Sequence, residues 1–155
     1  MNAQPILALV ARLLAKHKLD AILIGNAAAA LQGAPVTTVD LDFLIRPTRA
    51  NNQKLKALTA DLKATLFRPF YPASSLVRIM RDTDTLQLDF MTEIHGMNSF
   101  EGIRARASKI PVDTGAAVQV AALADIMRSK RSAGRPKDLA VIHASKKKKK
   151  KKKKN

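Results

Sequence analysis

Apolar and acidic side chains alternate along residues 39–45, and Pro47 follows shortly after them. An alternation with a period of two predicts a β-strand, and the proline predicts where that strand ends. Side chains two positions apart leave the same face of a strand, so Asp40 and Asp42 lie together, about 7 Å apart at their Cα atoms. Two such anions repel each other unless a cation lies between them, and Mg²⁺ is a cation that prefers carboxylate oxygens. The alternative is a strand whose polar face is simply in water.

The rest of the chain predicts the order helix, strand, helix, strand, helix, hairpin and C-terminal helices. Asn26 and Thr48 are expected to cap the second and third helices, and Gly33 and Gly134 to end helices. The third helix should carry Leu55, Leu58, Leu62 and Leu66 on one face. The other predicted helices cover residues 4–18, 27–32, 123–132 and 136–144, and the predicted strands cover 21–24, 39–45, 76–81, 85–91, 110–112 and 116–120, the last two as edge strands. We therefore expect an α+β fold: a mixed β-sheet with helices packed mainly on one side, followed by C-terminal helices.

Length and composition predict one domain over residues 1–145. The chain has 155 residues, 46% of them hydrophobic, and no cysteine, which excludes disulfides, thiolate metal ligands and a cysteine nucleophile. No apolar run approaches the roughly 20 residues of a membrane span, and no signal peptide opens the chain. We therefore expect a cytoplasmic protein that makes no membrane contact.

The positive charge of the chain is concentrated in a tail. The formal net charge is +16, but nine of the 28 Lys and Arg residues form the run Lys146 to Lys154, and the remaining 19 against 12 acidic residues leave +7. Residues 146–155 are expected to be disordered, because a run of like charges cannot pack. The tail either binds RNA through charge alone, or is an added solubility tag or a translated adenine-rich sequence end.

A third acidic residue, Asp89, lies between Leu88 and Phe90 in the second strand of the predicted hairpin. A carboxylate inside an apolar strand is costly to bury without a partner. If this strand lies beside the strand of Asp40 and Asp42, three carboxylates meet, and such a cluster suits two-metal phosphoryl transfer. The alternative is that Asp89 pairs with a nearby arginine.

Two further features predict contacts with phosphate groups. Gly25 lets the backbone approach a phosphate closely, and Asn26 and the helix that follows offer N–H donors, although most Gly-Asn pairs are merely caps. Basic residues also crowd around Gly134, where the alternative is an ordinary solvated surface. These basic residues are Arg128, Lys130, Arg131, Arg135 and Lys137.

Together these residues resemble the nucleotidyltransferase superfamily, which has the polymerase beta-like fold. The matching motifs are Ile24-Gly25-Asn26, Val39-Asp40-Leu41-Asp42-Phe43 and Leu88-Asp89-Phe90. The segment from Ser129 to Leu139 is similar to small bacterial members related to the AbiEii-type toxins. In those proteins a Lys and a following Lys/Arg-Asp contact the nucleotide, which points to Lys130 and Asp138 here.

The resemblance implies a Mg²⁺- or Mn²⁺-dependent enzyme that transfers a nucleoside monophosphate from an NTP to an acceptor hydroxyl. Asp40, Asp42 and Asp89 would be the catalytic, metal-binding residues. The nucleotide would be bound by Gly25, Asn26, Lys130, Arg131, Arg135 and Asp138. The acceptor could be tRNA or another RNA, a partner protein or a small molecule, within a toxin–antitoxin system in some relatives, and the positive charge outside the tail favours RNA. A domain of this size is expected to enclose a large acceptor only as a homodimer or with a partner chain.

The sequence departs from the family pattern at three positions. Asn26 stands where the family has Ser or Gly, Val36 where relatives often carry Arg, and Val141 where relatives often repeat an Asp. None of the three removes a predicted metal ligand. Asn26 and Val36 do support an alternative from another class, a non-catalytic nucleotidyltransferase-like module that binds RNA or acts as an antitoxin.

Overall fold

A seven-stranded mixed sheet organises the chain, with strand order β3-β4-β5-β2-β1-β7-β6. The computed structural model describes residues 3–34, 40–69, 76–94 and 100–134, together with residues 136, 140 and 142–144. The helices are α1 (Ala3–Lys16), α2 (Gly25–Leu31), α3 (Arg49–Asp61), α4 (Phe100–Arg106) and α5 (Leu123–Ala133). The strands are β1 (Ile22–Ile24), β2 (Asp40–Leu44), β3 (Thr65–Phe67), β4 (Val77–Arg81), β5 (Leu86–Met91), β6 (Ser108–Asp113) and β7 (Ala116–Val120).

Parallel and antiparallel pairs alternate across the sheet centre. Strand β2 runs parallel to β5, and β1 runs parallel to β7, while the remaining neighbours are antiparallel. Parallel neighbours need a crossover, and here helices lie between them in the chain. The predicted α+β fold class, with a mixed sheet and helices, is confirmed.

The two faces of the central strands differ sharply in polarity. On one face Leu41, Phe43, Leu88 and Phe90 are fully buried, and the rings of Phe43 and Phe90 stack with their centroids 5.3 Å apart. The side chains that alternate with them point to the opposite face, where Asp40 is exposed and Asp42 and Gln87 are partly exposed. The alternation in the sequence therefore separates a packed core face from an open polar face.

Several predicted elements agree with the structure. The first helix, the hairpin of β4 and β5, and helix α5 form close to their predicted bounds. The Thr48 side chain accepts a hydrogen bond from the Asn51 backbone at 3.1 Å, as expected of a helix cap. Gly134 ends α5 with φ of +66°, a left-handed conformation that glycine adopts without strain.

Other predictions were wrong. Asn26 does not cap α2, because the helix already begins at Gly25 and Ile24 occupies the cap position without a side-chain hydrogen bond. The third helix ends at Asp61, so Leu66 lies in β3 instead. Strand β7 is not an edge strand, since β1 and β6 flank it. Helix α4 and strand β3 were not predicted at all.

Some predictions fall on residues outside the described ranges. These include the tail 146–155, the departures at Val36 and Val141, and residues 137–139 and 141 of the predicted final helix. The described residues of that helix, 136, 140 and 142–144, are helical. Within the described part of the chain, no helix combines the length and apolar character needed to cross a membrane.

Candidate active site

The sheet register brings the predicted carboxylates together on the open face. Asp42 of β2 is paired with Asp89 of the parallel strand β5, and Asp40 is paired with Gln87. Asp89 is in turn paired with Arg78 of β4. Because paired residues in neighbouring strands point to the same side of a sheet, the three carboxylates and Arg78 share one surface. Asp42, Asp89 and Arg78 form a continuous row across three strands.

Asp42 lies at the centre of this surface in a negative environment. Its pKa is raised from 3.8 to about 6, first by burial and then by the charges of Asp89 and Asp40. The positive charges of Lys130 and Arg78 oppose that shift only in part. The folded chain therefore creates a place where an additional positive charge is stabilised.

Asp89 is occupied by a partner from the neighbouring strand. Arg78 donates two hydrogen bonds to its carboxylate, from Nε to Oδ1 at 2.8 Å and from Nη2 to Oδ2 at 3.1 Å. Gln87 donates a third hydrogen bond to Oδ2 at 3.3 Å. The Asp89 side chain is only 10% exposed, and the ion pair raises the pKa of Arg78. The arginine pairing that the sequence left open as an alternative for Asp89 is therefore present, alongside its position next to Asp42.

Gly25 places the chain backbone directly against Asp42. Its φ is +71°, and a Cβ atom built on it would lie 2.7 Å from the Asp42 Oδ2 atom. That distance is too short for any side chain, so the left-handed backbone and the lack of space both require glycine. Gly25 thus defines one wall of the carboxylate site.

Asn26 and Lys130 form a polar link between helices α2 and α5. The Lys130 ammonium donates a hydrogen bond to the Asn26 Oδ1 atom at 2.6 Å, and Lys130 is buried. The Asn26 side chain therefore accepts a hydrogen bond from Lys130 and does not make the predicted helix cap. It also holds the Lys130 charge close enough to Asp42 to affect the pKa of that carboxyl.

Three predicted nucleotide-binding residues remain, Arg131, Arg135 and Asp138. Arg131 is exposed on α5. Arg135 and Asp138 lie outside the described residues. Arg78 and Gln87 are the site residues that sequence reasoning missed, although the alternation within β4 and β5 already places them on the polar side of a hairpin.

Asp40 and Asp42 have the donor chemistry for a divalent cation. They are two hard oxygen donors on one face of a strand, and the pKa of Asp42 is raised by burial and by the charges of Asp89 and Asp40. Mg²⁺ commonly takes one or two protein carboxylates and completes its coordination with water and substrate phosphate. Within the described ranges no three His, Asp or Glu side chains are arranged as a metal-ligand group, so a site made by protein alone is absent there.

A surface groove of about 960 Å³ lies elsewhere, between α1 and strands β6 and β7. It is lined by apolar residues and by charged ones that include Arg12, Asp20 and Arg104, and none of the three carboxylates borders it. Arg12 is already paired with Asp113, and Arg104 with Asp20. We assign the candidate site to the carboxylate face, because the register brings the three predicted carboxylates together there and the pKa of Asp42 is raised there.

Comparison with solved structures supports the same fold. The chain is similar to the crystal structure of a Thermotoga maritima protein inferred to be a nucleotidyltransferase, with 17% identity over 90% of this chain and 89% of that one, and a TM-score of 0.59. It is also similar to an antigenic nucleotidyltransferase-like protein from Paracoccidioides brasiliensis, with 16% identity over 92% of this chain and 74% of that one, and a TM-score of 0.59. At such identities the likeness concerns the fold, which is nucleotidyltransferase-like. No protein-family model matches the chain, and no curated protein matches its sequence.

Proposed function

We propose that the chain is a nucleotidyltransferase that moves a nucleoside monophosphate from an NTP to an acceptor hydroxyl. The observation that carries this proposal is the position of Asp42: it lies beside Asp89 in register, against the backbone of Gly25, with its charge only partly balanced. A partly buried carboxylate in that state favours a bound cation and the phosphates that accompany it. The nucleotidyltransferase-like fold supports the same class of reaction.

Each residue of the site has a separate part in the proposal. Asp40 and Asp42 would hold Mg²⁺ or Mn²⁺, which when bound polarises the phosphate oxygens and neutralises the charge that develops on them. Gly25 and Asn26 would lie against the phosphates. Lys130 would act as a fixed positive charge toward the triphosphate, held in place by Asn26. Arg131, Arg135 and Asp138 would add outer contacts to the nucleotide.

The reaction is a single displacement at the α-phosphorus of the NTP. The acceptor oxygen forms a bond to that phosphorus, the bond to the bridging oxygen breaks, and pyrophosphate leaves. The proton of the acceptor hydroxyl passes to a water molecule, and the negative charge of Asp89, which Arg78 holds in place, favours its departure. The protein contributes position and electrostatic stabilisation rather than covalent chemistry.

The acceptor we propose is an RNA, including tRNA. The basis is charge, since 19 basic residues outside the Lys146 to Lys154 run oppose 12 acidic ones, and RNA is a polyanion. The alternative acceptors are a partner protein and a small molecule. The proposal also includes a role in a toxin–antitoxin pair, a cytoplasmic location and assembly as a homodimer. The test below identifies the acceptor directly.

Labelled NTPs test the proposed activity. The purified chain is incubated with each α-labelled NTP, Mg²⁺ and either total RNA or an extract, and the labelled species is identified. The expected result is label on one class of acceptor, released pyrophosphate, and loss of both on adding a chelator. Asp42→Asn is the matched control, since it removes one negative charge with almost no change of shape. Label that survives in Asp42→Asn would exclude this site.

One observation favours a second candidate function, a non-catalytic binding module. Arg78 occupies both oxygens of Asp89, as an arginine would in a site that has lost its need for a metal. The two candidates differ in a titration with NTP and Mg²⁺. An enzyme binds the nucleotide more tightly with the metal present, whereas the module binds its ligand equally well without it.

A further inference from the structure

We infer that Arg78 replaces a second metal ion, so that the site binds a single divalent cation at Asp40 and Asp42. This inference rests on the proposed function and deepens it, because it specifies how the third carboxylate is neutralised. A two-metal site needs Asp89 as a shared or terminal ligand. In this chain both carboxylate oxygens of Asp89 already accept hydrogen bonds from the Arg78 guanidinium.

The contact between Arg78 and Asp89 is of the strongest kind available to these side chains. Two parallel N–H donors of one guanidinium meet the two carboxylate oxygens at 2.8 and 3.1 Å, and Gln87 adds a donor at 3.3 Å. Bidentate arginine–carboxylate pairs combine charge with a fixed planar geometry. With its side chain only 10% exposed, Asp89 offers little open surface to an incoming ion.

The sheet itself builds this pair. Arg78 and Asp89 are directly opposed in the antiparallel register of β4 and β5. Asp89 is also opposed to Asp42 in the parallel register of β2 and β5. Both partners therefore sit within strands that have neighbours on each side, and the pair does not depend on a loop.

The charges on the open face also favour a single bound divalent ion. Three carboxylates, Asp40, Asp42 and Asp89, act on this surface together with two cations, Arg78 and Lys130. These five side chains together carry one negative charge, which a single divalent ion more than compensates. The metal would enter at Asp42, where burial and neighbouring carboxylates leave negative charge unbalanced, and not at Asp89, where Arg78 already supplies the positive charge.

Counting bound Mn²⁺ tests the inference without relying on activity. The full chain is titrated with Mn²⁺ in the presence of a non-hydrolysable NTP analogue, and free Mn²⁺ is measured by electron paramagnetic resonance. We expect one bound ion per wild-type chain, with a Kd that Asp89→Asn changes by less than threefold. Arg78→Gln should bind a second ion. Arg81→Gln is the matched control, because Arg81 lies in the same strand as Arg78 but is paired with Asp84 of the turn, outside the site. This variant should bind one ion.

Each result decides the matter. Two ions on the wild-type chain, or a single ion on a folded Arg78→Gln chain, would overturn the inference. If Arg78→Gln does not fold, Arg78→Lys keeps the positive charge beside Asp89 and should still bind one ion; a second ion on the folded Arg78→Lys chain would overturn the inference. One bound ion without NMP transfer would leave the inference standing and remove the proposed activity, whereas no bound ion would remove both.

Discussion

At the scale of single residues, folding places the Asp42 carboxylate where its negative charge is unfavourable, because it is partly buried and lies near Asp89 and Asp40. Its pKa lies at about 6 in the folded protein against 3.8 otherwise, chiefly because it is buried. The folded state therefore binds the proton more tightly than the unfolded chain does. The stabilising contribution of protonated Asp42 is complete below pH 4 or so and is lost as the pH rises through about 6.

Asp42→Asn should consequently stabilise the metal-free protein at pH 8, by on the order of 2 kcal/mol, because the substitution removes the uncompensated charge. The gain should shrink as the pH falls from 6 toward 4. Urea unfolding in the presence of a chelator measures both effects. Asp84→Asn is the opposite control: the Arg81 hydrogen bonds hold the pKa of Asp84 below its usual value, so that variant should lose stability at pH 8. An Asp42→Asn chain less stable than wild type at pH 8 would contradict the assignment.

Gly25 allows a second prediction with an internal control. Gly25→Ala should be destabilising for two reasons, its φ of +71° and the 2.7 Å distance from the new Cβ to the Asp42 carboxylate. Gly115→Ala has nearly the same φ, +69°, but meets nothing within 4 Å. We expect Gly115→Ala to cost about 1 kcal/mol, and Gly25→Ala to cost about 1 kcal/mol more and to abolish transfer by displacing Asp42. Equal losses of stability in the two variants would show that Gly25 does not constrain the carboxylate.

Residue patterns predicted one half of the site and missed the other for a definable reason. The period of two placed Asp40 and Asp42 on one face, as the structure has them. A turn limited to Asp82–Asp84 would pair Arg81 with Thr85, and so Arg78 with Leu88, on the face away from Asp89. Thr85 instead adopts a left-handed conformation with φ of 55° and joins the turn, and Arg81 pairs with Leu86. A shift of one residue brings Arg78 opposite Asp89. The polar alternation of the two strands agrees with this register, but the sequence of the turn alone does not specify it.

At the scale of elements, the caps show where local patterns are sufficient. Thr48 precedes a polar helix and caps it as predicted. Asn26 has the same capping chemistry but finds a buried ammonium from α5, a residue 104 positions away in the chain. Short elements were harder to predict. Strand β3 has only three residues, and it forms through its tertiary pairing with β4. Local propensity does not carry such information.

The α2–α5 link leads to a prediction about nucleotide binding. Lys130→Ala should weaken NTP binding or slow transfer at least tenfold, a loss of about 1.4 kcal/mol or more, because it removes a buried charge beside the carboxylates. Asn26→Ala should have a smaller effect, since it releases the ammonium without removing it. Equilibrium titration with an NTP analogue, combined with single-turnover transfer, separates binding from chemistry. Lys109→Ala, at an exposed position of β6, is the control. If the Lys130 and Lys109 variants behave alike, the C-terminal helix contributes only a basic surface and no specific contact with the nucleotide.

At the scale of the whole molecule, the site depends on strand order more than on any segment. Asp42 and Asp89 become neighbours only because β5 lies parallel to β2, with a helix and a further pair of strands between them in the chain. The sequence indicated strands and helices, and through the family resemblance a fold, but no periodicity specifies the order β3-β4-β5-β2-β1-β7-β6. Pairing of distant strands is set by the total burial of the core face, which is a property of the complete chain.

Net charge is the other property of the whole chain, and it leads to a prediction about RNA. Removing residues 146–155 lowers the formal charge from +16 to +7, since nine lysines leave. Binding of single-stranded RNA should then depend much less on salt, with the slope of log K against log salt falling by up to about 6, because each lost phosphate contact removes about 0.7 from it. Fluorescence anisotropy with a short labelled RNA over a range of salt concentrations measures the slope.

NTP binding and the unfolding temperature should remain nearly unchanged, because a run of lysines contributes no apolar surface to a core. Replacing Lys146 to Lys154 by glutamine keeps the length and should reproduce the truncation. If the truncated chain unfolds several degrees earlier while the glutamine chain does not, the segment has a packing role and the interpretation of it as a charge tail is wrong.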